Sequence, residues 1–250
     1  MTHLFFDRHD AGRQLASRLH HFAGRADLVV LGLPRGGVPV AAEVAAALGA
    51  RLDIFVVRKL GVPGHEEVAL GAIASGGVRV LSQDALRVLN LSREVVDAVA
   101  AVEQRELDRC ERDYRLDRPF PDLHGATVIL VDDGVATGST MLVAVHALRQ
   151  HGPSAIIAAA PVMSEGARQM LSRVVDRCEA VAVLEPLRAV AAWYRDFAQT
   201  TDEEVRALLR GATAVPAAAP PPGPTRDFQA EAGMHEACCE GGATRPEKSY

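Results

Sequence analysis

The stretch VILVDDGVATGST, Val128 to Thr140, ends an apolar run in two adjacent acids and continues into a turn of glycine, threonine and serine. Its residue types suit anion chemistry. A turn that opens a helix presents unpaired backbone N–H groups at the positive end of the helix dipole, and the hydroxyls of Thr137, Ser139 and Thr140 add donors, so a phosphate monoester fits at the start of that helix. Gly134 and Gly138 let the backbone curl and approach without a Cβ in the way. Asp132 and Asp133 are acceptors only when ionised and repel a phosphate, but they can accept from sugar hydroxyls or from the water shell of Mg²⁺. A phosphorylated sugar satisfies both halves. An Asp-Asp pair by itself also serves simply to close a strand. The segment is not a Walker loop, because the lysine of GxxxxGK[ST] is missing.

Three other segments carry charge beside glycine. PRGGVP, Pro34 to Pro39, follows an apolar run and offers the Arg35 cation with the close amides of Gly36 and Gly37; a tight strand-to-helix turn with Arg35 in solvent is the plainer reading. VVRKLGVPG, Val56 to Gly64, holds Arg58 and Lys59. The chain has only two lysines, Lys59 and Lys248, among 27 basic residues, so the region ahead of the C-terminal tail keeps one lysine. A compact, rotatable ammonium suits a diphosphate whose charge changes as it leaves. GHEEVALGAIASGG places Glu66 and Glu67 in what reads as a mobile lid, where a solvated acidic loop is the alternative.

These segments must be positioned by something rigid. Runs rich in Val, Ile and Leu recur at residues 26–33, 51–59, 126–133, 154–162 and 178–185, and their continuous apolarity predicts strands buried on both faces of a parallel sheet. Helical segments lie between them, notably Val38 to Leu48, Gly138 to His151 and Glu165 to Val174. The repetition predicts a doubly wound, mainly parallel α/β sheet flanked by helices, with its ligands at the carboxyl ends of the strands. An insertion at about 71–118 reads as a short β pair turning at Ser75-Gly76-Gly77, followed by a long helix capped by Ser92, whose Val96, Val99, Leu107, Cys110 and Tyr114 form one apolar stripe. That helix is expected to be a packed excursion or a dimer arm. The segment TTDEEV predicts a last helix over Asp202 to Leu209.

Composition bounds the rest. The 250 residues are 48% hydrophobic and 24% charged with a net charge of −5, which excludes a disordered chain and gives no general basic field for nucleic acid. No apolar run approaches the roughly 20 residues of a spanning helix. Four cysteines without paired spacing and the absence of a secretory leader point to a cytoplasmic protein. Residues 1–210 are expected to form one domain and residues 211–250, rich in proline and alanine, a disordered tail; its Cys238 and Cys239 are assigned no role.

The thirteen residues from Val128 to Thr140 resemble the phosphoribosyl pyrophosphate (PRPP) motif of the type I phosphoribosyltransferases, and the other three segments occur in the order that family has. The resemblance implies that fold and a Mg²⁺-dependent transfer of ribose 5-phosphate from PRPP to a nitrogenous base or related small acceptor. It places the 5-phosphate on Ala136, Thr137, Gly138, Ser139 and Thr140, the ribose hydroxyls and water-mediated Mg²⁺ at Asp132 and Asp133, and pyrophosphate at Arg35, Gly36 and Gly37. VVRKLGVPG is similar to the arginine-lysine segment opening the catalytic loop of adenine phosphoribosyltransferase, which makes Arg58 and Lys59 catalytic candidates and puts Glu66 or Glu67 at the incoming nucleophile. Where the 6-oxopurine enzymes have an aspartate, this chain has Ala136, as in the adenine and uracil enzymes. Trp193 is the candidate for stacking on a base, although Trp193, Tyr194 and Phe197 at helical spacing also read as core. The whole pattern, residues 25–210, looks most like a bacterial group of stand-alone phosphoribosyltransferase-like proteins without a defined substrate. A homodimer is implied by the pairing of related enzymes. Two other readings keep the pocket: a non-catalytic regulator that senses PRPP or a nucleotide, and an enzyme that hydrolyses or phosphorolyses another phosphorylated ligand.

Overall fold

The computed structural model describes residues 3–62, 65–81, 92–115 and 118–212, with only the backbone of residues 65–69. The expected tail beyond residue 212, with Cys238 and Cys239, lies outside the described residues.

Strands β1 (Leu28–Gly32), β2 (Arg51–Ile54), β6 (Thr127–Val131), β7 (Ala155–Ser164) and β8 (Arg177–Leu184) form one sheet in the order β2-β1-β6-β7-β8. Every pair in it is parallel, with Val30 opposite both Leu52 and Ile129. The burial pattern explains the unbroken apolar runs. Leu28, Val30, Ile129 and Val131 pack into one cluster with helices on their side, while Val29, Leu31, Val128 and Leu130 pack into a second cluster on the opposite face.

Helices α1 (Arg8–Leu19), α2 (Gly37–Leu48), α3 (Arg93–Arg115) and α6 (Asp202–Ala212) contribute to the first cluster, and α4 (Ser139–Arg149) and α5 (Glu165–Leu171) to the second. Helix α1 has no counterpart in the sequence reading. Its signals are present nonetheless: the Asp7 side chain accepts from the Asp10 amide at 2.7 Å as an N-cap, and Ala11, Leu15, Ala16 and Leu19 give a buried stripe. Helix α6 extends three residues beyond the expected Leu209.

The run at residues 51–59 is two strands, not one. After β2 the chain leaves the parallel sheet: Phe55 donates a last bond to the Gly32 carbonyl at 3.1 Å, and Val56 then exchanges bonds with Ser75, its amide to the Ser75 hydroxyl and its carbonyl from the Ser75 amide, both at 2.9 Å. Strands β3 (Val57–Val62), β4 (His65–Ala74) and β5 (Val78–Leu81) form a separate antiparallel sheet. A continuous apolar run carries no mark of such a crossing. The expected β pair is therefore the outer part of a three-stranded sheet, and the segment expected to be a lid supplies the first half of β4. The long helix is a packed excursion: Val96, Leu107 and Tyr114 are buried, and α3 lies against β3, β4 and α6. Among the described residues no helix is long and apolar enough to cross a membrane.

Candidate functional site

The carboxyl ends of β1 and β6 are neighbours in the sheet, so the PRGG and DDGVATGST segments leave it side by side. The two turns press together. The Leu33 amide bonds the Val131 carbonyl at 2.8 Å, and the Pro34–Arg35 peptide is cis. A Cβ on Gly36 would stand 2.0 Å from Asp133 Oδ2, and one on Gly37 would stand 2.6 Å from the Val131 carbonyl. Only glycine permits this approach.

The second turn is held from beneath. The Val135 amide donates to Val162 O and the Ser164 amide to Val135 O, each at 2.9 Å, while the Ser164 hydroxyl donates to Ala136 O at 2.6 Å and accepts from Ala167 N at 2.9 Å. Gly138, at φ 76°, is the N-cap of α4 and offers no side chain to its first turn. Those amides therefore face outward, beside the exposed hydroxyls of Thr137, Ser139 and Thr140. The Thr137 and Ser139 hydroxyls hydrogen-bond one another at 2.8 Å, which leaves one of the two O–H groups to donate outward.

Asp132 and Asp133 stand at the rim between these turns. Burial, reinforced by the neighbouring Asp133 carboxylate, raises the Asp132 carboxyl well above the ordinary carboxylate range. Burial raises Asp133 too, against the opposing pull of the Arg8 cation. Arg8 donates from Nε to Asp133 Oδ2 at 2.8 Å and from Nη1 to Ala198 O at 2.6 Å, and its guanidinium lies 3.8 Å over the Phe197 ring. The backbone end of the same residue is fixed by Tyr194, whose hydroxyl donates to Asp133 O at 2.6 Å. Asp133 is thus clamped by the two ends of the described domain, and those ends join directly: Leu4 and Phe5 donate to Trp193 O, while Arg195 and Asp196 donate to Phe5 O and Phe6 O.

Sequence reasoning did not single out Arg8 or Tyr194. Nothing in the chain distinguishes one arginine within FFDRHDAG, and Tyr194 read as part of a helical aromatic stripe. The residues after Trp193 are not helical: a short 3₁₀ turn, Val190–Trp193, gives way to extended backbone. Trp193 is half-buried against the cluster of Phe5, Val162, Leu187 and Tyr194, which also touches Ala136.

The cations sit differently from one another. Arg35 Nη1 lies 3.4 Å from Asp202 Oδ1, and the same oxygen accepts from the Tyr114 hydroxyl at 2.6 Å. The Tyr114 bond, and behind it the Arg35 cation, holds Asp202 below the usual carboxylate range. Arg58 and Lys59 are consecutive residues of β3, so their side chains leave opposite faces. Arg58 turns toward α3 and pairs with Glu103 at 2.8 Å; Lys59 is exposed and paired with no described residue. Glu66 and Glu67 are likewise consecutive in β4, and their side chains lie outside the described residues.

Among the described residues no three His, Cys, Asp or Glu side chains gather into a metal cluster. Asp132 Oδ1 accepts from the Asp133 amide at 2.9 Å and Asp133 Oδ2 from Arg8, which leaves one oxygen of each acid open. That donor set fits Mg²⁺ that arrives on a phosphorylated ligand and keeps several waters, and does not fit a resident ion.

The phosphoribosyl transferase domain matches residues 7–186. A Mycobacterium tuberculosis protein named provisionally as a phosphoribosyl transferase is 44% identical over 237 residues, which cover 92% of this chain and 53% of its own, so this chain spans about half of that relative's length. The bifunctional protein PyrR of Corynebacterium diphtheriae is 30% identical over 132 residues, 48% of this chain and 67% of its own. The crystal structure of TT1426 from Thermus thermophilus superposes with a TM-score of 0.74 at 43% identity, covering 82% of this chain and 97% of that one. With the family's domain spanning most of the described fold and both turns at the sheet's edge, the chain belongs to the phosphoribosyl transferase family.

Proposed function

We propose that the protein transfers ribose 5-phosphate between PRPP and a nitrogenous base or related small acceptor. One observation carries the reading: a hydroxyl-lined helix N-terminus whose N-cap Gly138 has no side chain, two half-buried carboxylates and a glycine turn converge at the carboxyl ends of two adjacent strands. The helix turn at Ala136 to Thr140 binds the 5-phosphate, Asp132 and Asp133 accept from the ribose hydroxyls, and the Gly36 amide with Arg35 faces the pyrophosphate, the Gly37 amide being held by the Leu33 carbonyl at 3.0 Å.

In the transfer the bond from the anomeric carbon to the pyrophosphate oxygen breaks, its electron pair leaves with pyrophosphate, and an acceptor nitrogen bonds that carbon and gives up its proton. The Asp133 carboxylate, held against Arg8, favours the cationic ribose, and Arg35 and Lys59 stabilise the departing diphosphate. Mg²⁺ arriving on the substrate would be held through water by the open oxygens of Asp132 and Asp133 and would neutralise part of the diphosphate charge. Glu66 or Glu67 takes the acceptor's proton, and Trp193 is the stacking surface for a base. The protein works in the cytoplasm on small molecules, as a homodimer, with residues 1–210 as the working domain.

The test is pyrophosphate release from PRPP and Mg²⁺ across a panel of bases; silence across the panel while PRPP still binds would sink catalysis. The arrest of Arg58 by Glu103 favours a second reading, a PRPP-sensing regulator without turnover. That reading requires bound PRPP to persist unconsumed.

A further inference from the structure

A second concavity, of about 400 Å³, shares no residue with the site above. It lies between the C-terminal half of α3 and the glycine turn joining β4 to β5, and its wall includes Gly77, Gln104, Asp108, Arg112, Arg118 and Phe120. Its volume is that of a small-metabolite site.

The charges in it are unevenly satisfied. Arg115, at its base, is fully engaged: Nε to Asp53 at 2.8 Å, Nη1 to Glu111 at 2.5 Å, Nη2 to Ile54 O at 2.7 Å, with its guanidinium 4.9 Å from the Phe120 ring centre. Arg118 is not. Its Nε donates to the Arg115 carbonyl at 3.1 Å, which fixes the plane of the guanidinium, while Nη2 is buried and without an acceptor. It is the one such buried side-chain atom among the described residues. Arg112, exposed on the same wall, forms no ion pair with any described residue. A guanidinium has donors only, so this edge of Arg118 is free to take an acceptor. One helix turn before Arg112, Asp108 accepts from Gln104 Nε2 at 2.7 Å and has no cationic partner among the described residues.

We propose that this cavity binds a small hydroxyl- or amine-bearing metabolite through a terminal oxyanion, phosphate or carboxylate. The oxyanion takes the free edge of Arg118 and the Arg112 guanidinium, and the donor end of the molecule faces Asp108. Arg115 is the fixed floor and is not spent on the ligand.

The full chain is titrated calorimetrically with inorganic phosphate and, in a parallel arm, with malonate, which separates the two kinds of oxyanion. Thr140→Glu places a negative charge in the phosphate turn of the first site and removes binding there. With that change made, the chain is expected to keep one site for phosphate or malonate, and adding Arg112→Met and Arg118→Met, which retain the apolar stems, should weaken it at least tenfold. Equal affinity with and without the two arginines would overturn the proposal, as would the loss of all anion binding on Thr140→Glu alone. A measurement that needs no variant is phenylglyoxal modification of the unaltered chain, read by peptide mass spectrometry. Phosphate or malonate should slow modification of Arg112 and Arg118 relative to the exposed Arg13, and an unchanged rate overturns the proposal. Because none of these readouts uses PRPP, a failure of the transferase reading leaves them interpretable.

Discussion

Arg8 and Asp133 are 125 residues apart in sequence and 2.8 Å apart in space, Nε to Oδ2. Their side chains are 11% and 16% exposed, so this pair is shielded from water far more than the surface ion pairs elsewhere in the chain. Removing the cation leaves a largely desolvated carboxylate without compensation. Arg8→Ala is expected to lower stability by about 2 kcal/mol in denaturant unfolding and to weaken PRPP binding about tenfold by calorimetry. Arg8→Lys should recover only part of either loss, since an ammonium cannot span Asp133, Ala198 O and the Phe197 face together.

Gly36→Ala tests the close approach of the two turns. Its methyl would overlap Asp133 Oδ2 at 2.0 Å. The turns must part, with a cost of about 1–3 kcal/mol in unfolding free energy and a loss of PRPP binding that exceeds the loss from Arg8→Ala. Unchanged affinity would show that the turn of Pro34 to Pro39 does not contact the ligand.

Lys59→Ala separates turnover from recognition. Lys59 is exposed and forms no ion pair with a described residue, so truncating it should leave stability within about 0.5 kcal/mol. Turnover should fall at least a hundredfold while PRPP still binds. If turnover survives, the lysine is an ordinary surface residue.

The Tyr114–Asp202 bond makes a prediction in pH. Asp202 titrates below its ordinary value in the folded protein, chiefly because the Tyr114 hydroxyl donates to it, so its contribution is present above the unfolded value near 4 and fades as the pH falls through the folded value. The carboxylate is 47% exposed, which limits the effect to under about 1 kcal/mol. The difference in unfolding free energy between the unaltered chain and Tyr114→Phe should therefore shrink between about pH 5 and pH 3. A difference constant with pH would mean that the hydroxyl does not act through this carboxylate.

Arg115 and Asp53, each 3% exposed, form the most deeply buried ion pair described. Arg115→Met strands Asp53 and removes the bond to Ile54 O, and should cost about 3–5 kcal/mol, whereas Arg149→Met at a surface pair with Asp176 should cost under about 1 kcal/mol. Parallel chemical denaturation of the two variants is the measurement.

The parallel sheet was legible because its strands are buried on both faces, and that condition writes itself into the sequence as unbroken runs of Val, Ile, Leu and Ala. The turn from Asp132 to Thr140 was legible for a similar reason: glycine at a positive φ beside hydroxyls has few other uses. Pairings that depend on distant segments left no such mark. The switch of sheets at Phe55 and Val56 is decided by the Ser75 hydroxyl, nineteen residues on. The partnership of Arg8 with Asp133 is decided by the packing of α1 on α2 and by the return of the chain at Tyr194. Arg58 and Lys59 looked like a unit because they are adjacent, and adjacency in a strand is what divides them.

The clamp on Asp133 has a consequence for how the protein is made. Tyr194, Phe197 and Asp202 follow the last residue of the matched family segment, Asp202 by sixteen positions after residue 186. A chain cut at residue 186 keeps both turns, both acids and Arg8, yet lacks the Tyr194 bond to Asp133 O, the Phe197 ring under Arg8 and the Asp202 tether of Arg35. A fragment made to the bounds of the family match should therefore hold PRPP more weakly than one made through residue 212.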